Sequence, residues 1–370
     1  MSWFFLMVWL SYLLGLLLIV RAWASLNHQQ VVEVTLPVSV LVPFRNEEQH
    51  LERLVEALNR QLYQDFEVVF INDHSTDPSE QLLNNLLSSV GFNYQLLSLT
   101  DTSGKKAALS RGVSMAKGEV ILTTDADCVF EKNWISRMTS PFIDESILMA
   151  SGPVKLTGKS LFQKWQQMEF SVLIATGATG IAWEKPSMAN GANLAYRKSV
   201  FESLYGFRGV DAIASGDDEL LMMKVHEKYP GSIKFVKHTD ALVTTEAMAS
   251  WKDFRNQRLR WAGKWRYGNR KSSVVGALAV FIFNLSVLLL PVLGFTGSLA
   301  WRQVLTFVLV RLLAELGLVL FLSRFFRSKI LMIPFLLHQI LYPFYAIYFG
   351  VAANFGSFRW KGRTYKAQVQ

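Results

Sequence analysis

From Ser2 to Val20 the sequence carries no charged residue, and no other feature narrows what the chain can fold into as far. A run of that length suits a helix crossing a hydrocarbon core, which needs roughly 17–25 apolar residues. Long apolar runs return from about Ser272 to Gly356, near Val274–Leu293, Val304–Leu322 and Ile330–Ala352. Between them, Val38 to Thr245 has the mixed composition of a water-soluble domain. The expectation is a globular domain carried on membrane helices.

Charge placement orients it. Ala22-Trp23-Ala24 would suit a signal-peptide cleavage site, but no cation precedes the first apolar run and Arg21 follows it directly. That pattern predicts an uncleaved anchor over 1–22, its N-terminus outside and the next segment cytoplasmic, in a cell inner membrane. The single cysteine, Cys128, allows no intrachain disulfide and agrees with a reducing compartment. Of the net charge of +9, much lies in Ser250–Lys271, where eight basic residues face Asp253 alone. Beside a membrane span such a stretch points to anionic membrane lipids and not to nucleic acid.

The middle segment alternates strand and helix patterns. Val38–Val42, Glu67–Ile71, Tyr94–Leu99 and Glu119–Thr123 read as strands, with helical stretches at about Glu47–Gln61, after Asp77, and at Lys105–Ala116. Strands apolar throughout and joined by helices predict an α/β fold with a mostly parallel sheet. Ligands of such sheets sit beyond the carboxyl ends of the strands. Pro43-Phe44-Arg45-Asn46-Glu47, Asn72-Asp73-His74-Ser75 and Thr124-Asp125-Ala126-Asp127 follow three of the strands, so three polar clusters should meet at one edge. Lys159–Thr179 is amphipathic, through Phe162, Trp165, Met168 and Val172, and is expected at the interface or against the core. Ser250–Gly268 is the stronger interfacial candidate, with Trp251, Phe254, Arg258, Trp261 and Trp265 near one face.

Asp125 and Asp127, two apart at a strand end, suit Mg²⁺ or Mn²⁺, which takes its other ligands from water and substrate phosphate. A solvated turn is the competing reading of the pair. Gly104-Lys105-Lys106 before a helix favours a diphosphate, or is simply a helix start with surface lysines. Asp217-Asp218-Glu219 opens a helix; it either complements the dipole or supplies a general base. The six histidines lack metal-ligand spacing, so no zinc site is expected.

In order, Pro43…Glu47, Asp73, Lys105, Asp125-Ala126-Asp127, Gly216-Asp217-Asp218 and Gln257-Arg258-Leu259-Arg260-Trp261 resemble the inverting family 2 glycosyltransferases. Relatives there include cellulose, chitin and hyaluronan synthases and ceramide glucosyltransferase. The resemblance covers roughly Val38 to Trp261 and implies a GT-A fold, Rossmann-like, beside the transmembrane helices. It implies that Pro43, Arg45, Glu47 and Asp73 surround the nucleotide, with Asp73 on the base and Lys105 on the diphosphate. Asp127 would bind the metal with Asp125, the latter nearer the ribose. Asp218 would be the catalytic base, and Gln257, Arg260 and Trp261 would line the acceptor side and the departing diphosphate. The pattern departs at Asn72, where many relatives carry an acid. Trp360-Lys361-Gly362-Arg363 resembles the ends of some lipid-glycosylating relatives.

The function expected is metal-assisted single displacement from a nucleotide sugar, such as a UDP-sugar, to a lipid or membrane-presented acceptor, with inversion. A processive polysaccharide synthase is the alternative, but about three spans after Lys271 are few for an export channel. A membrane nucleotidyl- or phosphotransferase would need neither the Gln257–Trp261 element nor the second acid cluster. A non-catalytic subunit would be expected to lack Asp127 or Asp218. The expected organisation is an anchor at 1–22, a transferase domain at 36–249, an interfacial helix at 250–271, membrane helices at 272–356 and a basic tail at 357–370. The basic tail belongs inside by its charge, whereas three simple spans would put it outside, so the last segment, with Pro334, His338 and Pro343, is expected to be re-entrant or broken.

Overall fold

A computed structural model describes residues 2–26, 35–210, 216–262, 271–329, 331–352, 357–360 and 363–366. In chain order the elements begin with α1 (Ser2–Ser25), β1 (Val38–Phe44), α2 (Glu48–Asn59), β2 (Phe66–Asn72), α3 (Ser79–Leu87), β3 (Asn93–Ser98), α4 (Lys105–Met115) and β4 (Val120–Thr123). Then come β5 (Val129–Phe130), α5 (Trp134–Thr139), β6 (Met149–Ser151), β7 (Val154–Thr157), α6 (Leu161–Ala182), β8 (Leu194–Arg197), α7 (Lys198–Ser203), α8 (Asp217–Lys228), β9 (Ile233–Phe235) and β10 (Val243–Glu246). Helices α9 (Trp251–Ala262), α10 (Lys271–Phe295), α11 (Trp301–Phe326) and α12 (Met332–Ala352) and the strands β11 (Ser357–Trp360) and β12 (Arg363–Lys366) complete the chain. Two compact units result. A sheet unit comprises Leu26–Thr157 and Thr176–Glu246, and a helical unit comprises Met1–Ser25, Gly158–Ala175 and Ala247–Gln370.

The sheet unit is built on a seven-stranded sheet of order β3-β2-β1-β4-β8-β6-β9. The four strands expected from the sequence pair in parallel, and β8 joins β4 antiparallel. The result is the mostly parallel α/β fold expected. Val40, Leu41 and Val42 are fully buried, as are Val68, Val69, Phe70 and Ile71, because helices cover both faces. Each such side chain contributes about 1.5–3 kcal/mol by leaving water. Pro43 can stand in β1 because the pairing with β4 covers only Val38 to Leu41.

At the opposite end from the polar loops, Glu67 ties four segments together. It accepts from Ser39 Oγ (2.7 Å), the Lys117 N–H (2.6 Å) and Gln95 Nε2 (3.1 Å). Burial raises its pKa, but these hydrogen bonds outweigh burial and the net shift is downward. A second sheet, β5-β10-β7, lies in the same unit.

In the helical unit α1, α10, α11 and α12 are each long and apolar enough to cross a membrane. Phe5 and Trp9 of α1 pack with Phe283 and Leu290 of α10 and Val304 of α11. A buried polar network also joins them. Glu315 accepts from Tyr12 Oη (2.8 Å), Arg311 Nε (2.8 Å) and Gln339 Nε2 (2.7 Å). Buried away from water, such groups must be satisfied within the protein.

Two expectations change here. The last apolar segment is one helix, α12, continuous through Pro343 and not a broken hairpin. The face of Ser250–Gly268 assigned to the interface is largely core. Phe254, Arg258 and Leu259 are buried, Phe254 against Trp165 of α6 and Tyr345 and Phe349 of α12. Aromatic side chains bury large areas and pair at defined angles, as Phe254 does here with Trp165, Tyr345 and Phe349. Trp251 alone of that face is exposed, and Trp265 lies outside the described residues. The tail forms an antiparallel β11–β12 hairpin, with β11 beside α9.

Candidate active site

The loops after β1 and β2 are sewn together. Asn46 and His74 both adopt left-handed backbone (φ 54° and 59°), a region that asparagine tolerates better than most residues. Asn46 Oδ1 accepts the Thr76 N–H (2.7 Å), and the Asn46 N–H donates to Ser75 Oγ (3.1 Å). Arg45 Nη1 donates to the Asp73 carbonyl (2.9 Å). The Glu47 N–H donates to Ser79 Oγ (2.8 Å), and its carboxylate meets His50 Nδ1 (2.8 Å). Asn72, the departure from the family pattern, donates to Glu80 Oε2 (2.6 Å) and accepts the Ser75 N–H (2.9 Å), so it shapes the loop.

Asp73 is buried, and its Oδ2 accepts the Gly104 N–H at 3.0 Å. Gly104 has φ 97°, a conformation that costs glycine little, and α4 starts at the next residue. The helix start expected to offer its N–H groups to a diphosphate therefore gives one of them to Asp73. Lys105 turns inward. Its Nζ donates to Asp125 Oδ1 at 2.6 Å and lies 3.4 Å from Asp217 Oδ2. Burial alone would lower the Lys105 pKa, but Asp125, Asp217 and Asp218 outweigh it and raise the pKa above its ordinary value.

Asp218 opens α8 and is held by two backbone donors. Its Oδ2 accepts the Gly191 N–H (3.0 Å) and its Oδ1 the Glu219 N–H (2.7 Å). Gly191 is a site residue that the sequence reading missed. A Cβ there would lie 2.9 Å from Asp217 Oδ2 and 3.1 Å from Lys105 Nζ, so a side chain would make these two flexible ends shift and disturb the cluster. The Asn190-Gly191 dipeptide before a buried strand was the available signal. Two residues on, fully buried Asn193 donates to the Pro153 and Ala241 carbonyls (2.8 Å each) and accepts from Trp134 Nε1 (3.0 Å). It nails the loop down.

Asp127 takes a partner from the second sheet. Thr245 Oγ1 of β10 donates to its Oδ2 at 3.0 Å. Cys128 beside it is buried, and burial and the two aspartates raise its thiol pKa, so it stays neutral. Asp125 and Asp127 thus project from one turn, closed by the Cys128 N–H on the Asp125 carbonyl (3.1 Å), toward different partners. Among the described residues no group of three His, Cys, Asp or Glu side chains is placed to enclose a metal ion. Two oxygen-donor carboxylates with no nitrogen or sulfur ligand fit Mg²⁺ or Mn²⁺ sharing a phosphate-bearing ligand, and do not fit structural zinc.

Gln257, Arg260 and Trp261 lie on α9, in the helical unit. The residue between them, Arg258, is almost wholly buried and ion-pairs with Glu169 of α6 at 2.5 Å. Its guanidinium stacks on Phe254 (4.7 Å) and Trp261 (4.3 Å), and Trp261 also meets Phe170 (5.7 Å). Tyr345 Oη donates to the other Glu169 oxygen (3.1 Å). Burial raises the Glu169 pKa, and Arg258 and Tyr345 offset only part of the rise. Gln257 Oε1 is buried without a hydrogen-bond partner.

Residues 39–205 match the family described as Glycosyl transferase family 2. The chain is 27% identical over 235 residues to a probable glycosyltransferase, YdaM, of Bacillus subtilis, covering 61% of this chain and 54% of that protein. It is 39% identical over 93 residues to an undecaprenyl-phosphate 4-deoxy-4-formamido-L-arabinose transferase of Pseudomonas fluorescens, covering 24% of this chain and 27% of that protein. The chain thus spans about half or less of the length of these curated relatives. The mannosyltransferase PcManGT of Pyrobaculum calidifontis, solved with GDP-Man and Mn²⁺, superposes with a TM-score of 0.60 at 16% identity, over 91% of this chain and 95% of that one. The GT-A fold is shared. Residues 39–205 thus form a domain that matches glycosyl transferase family 2.

Proposed function

We propose that this protein transfers a sugar from a nucleotide-sugar donor to a lipid or lipid-linked acceptor at the membrane, by single displacement with inversion. One observation carries the reading. Asp218 is aimed by the Gly191 and Glu219 N–H groups beside the cluster of Lys105, Asp125 and Asp217, at the edge where ligands of parallel sheets sit. Asp218 takes the proton of the acceptor hydroxyl, and no enzyme nucleophile is required. Lys105 meets the departing diphosphate, while Asp73, Arg45, Glu47 and Pro43 hold the nucleoside end. Asp127 and Asp125 would hold Mg²⁺ or Mn²⁺, which would supply positive charge for a departing diphosphate. Gln257, Arg260 and Trp261 take the acceptor side, and the buried, unpartnered Gln257 Oε1 supports a polar ligand there.

The lipid acceptor is supported by four helices of spanning length and by the undecaprenyl-phosphate transferase among the relatives. The archaeal mannosyltransferase, with GDP-Man and Mn²⁺, illustrates the donor and metal class. Four spans are few for lining an export channel, which favours single transfer over polymer synthesis. The test is a screen of purified protein in detergent against nucleotide sugars, with released nucleoside diphosphate as readout. Release with no donor, or equal release by Asp218→Asn, would refute the reading.

A further inference from the structure

Within the helical unit a cleft opens between α6 and the turn joining α11 to α12. Lys164 and Ser171 line it from α6, Ser323 from the end of α11, and Ser328 and Lys329 from just beyond that end. Its wall is apolar, through Met168, Val319, Phe326 and Pro334, and no acidic side chain lines it. Lys164 Nζ is steadied by Gln167 Oε1 at 3.2 Å. Among the described residues neither lysine is in an ion pair.

The depth of the cleft follows from the sequence around it. Apart from the buried Arg311–Glu315 pair, helix α11 is apolar from Val304 to Leu322, and Arg324, Arg327 and Lys329 then come in quick succession. That is the pattern of a helix end at headgroup level. Leu331 continues the apolar wall, and Met332, Ile333 and Leu336 are exposed along the start of α12 that follows it. The occupant that matches has an anionic head and an apolar tail. None of Asp73, Lys105, Asp125, Asp127, Asp218, Gln257, Arg260 or Trp261 lines the cleft. Bulk anionic lipid, by contrast, is abundant at this depth and fills even a weak site by mass action.

We propose that this cleft binds the headgroup of an anionic glycerophospholipid, its phosphate between Lys164 and Lys329 and its acyl chains along the start of α12. The bound lipid braces α6 against the end of α11. The proposal does not depend on the transferase reading.

The test uses the full chain reconstituted in vesicles of phosphatidylcholine with phosphatidylglycerol, then extracted gently and weighed by native mass spectrometry. Wild type should retain phosphatidylglycerol selectively. Lys164→Gln with Lys329→Gln should lower retention about tenfold, two surface cations each being worth a few-fold. Arg302→Gln, at the other end of α11, should leave it unchanged. Ser323→Phe fills the cleft without touching charge and should also lower retention, so the test stands even where the double lysine variant fails to fold. Unchanged retention in Ser323→Phe would reduce the effect to diffuse attraction and overturn the site. Stoichiometric displacement of phosphatidylglycerol by a polyprenyl phosphate would overturn the assignment to bulk lipid.

Discussion

Lys105 Nζ sits 2.6 Å from Asp125 Oδ1, so the start of α4 and the turn after β4 are joined by one short ion pair, with Asp217 of α8 3.4 Å from the same ammonium. One cation therefore organises acids from two distant segments. Lys105→Met should leave that cluster repelling itself and weaken donor binding more than Lys105→Arg. Because the carboxylates raise its pKa, the charge of Lys105 is present below the ordinary value of 10.5 and is lost only as pH rises through the higher folded value. Isothermal titration with nucleoside diphosphate should show no loss attributable to Lys105 between neutral pH and about pH 10. A loss centred near neutrality would contradict this pairing.

Asp218→Asn keeps the shape of the carboxylate that Gly191 and Glu219 hold, so donor affinity should survive while turnover falls by about 10²-fold or more, as on removing a general base. Asp217→Asn should chiefly weaken the Lys105 cluster. A greater loss of turnover for Asp217→Asn would reassign the base.

Gly191→Ala should displace the ends of Asp217 and Lys105 from their present pairing, since its methyl would meet Asp217 Oδ2 at 2.9 Å and Lys105 Nζ at 3.1 Å. The expected outcome is a folded protein, by thermal melting, with turnover reduced at least tenfold. Near-normal turnover would mean that the cluster is looser than described.

Glutamate 67 gives a pH test of stability apart from the chemistry. Its folded pKa is lowered, so its contribution is full above the unfolded carboxylate value of about 4.3 and disappears as pH falls through the folded one. Melting curves of Glu67→Gln should lie below wild type at pH 7 and converge with it in acid. A constant gap at every pH would show that the charge contributes nothing.

Arg258 and Glu169 should act as a pair. Either single change leaves a buried charge alone and costs about 3–5 kcal/mol. A double change to apolar residues of similar size should recover much of that stability. If Arg258 also orients Trp261, the recovered double variant will show a raised KM for lipid acceptor with donor hydrolysis intact. Equal effects on both substrates would make the pair purely structural.

Much of this protein was legible without coordinates. Buried strands announce themselves by unbroken apolar runs and long helices by length, and β1 to β4 and helices α1, α10 and α11 stand where those local signals predicted, whereas α12 is one continuous helix where a re-entrant or broken segment was expected. The order of acids along the chain pointed to the family in the same way, because each motif is a short string at a strand or helix end. The tertiary structure decided what local patterns cannot encode. Thr245 reaches Asp127 across 118 residues, Gly191 holds Asp218, and Arg258, expected on the interfacial face of its helix, is buried on Glu169. Amphipathic periodicity says that a helix has an apolar face but not what covers it. For α9 the cover was α6 and α12, because aromatic rings and one paired guanidinium fill that space better than headgroups and water would.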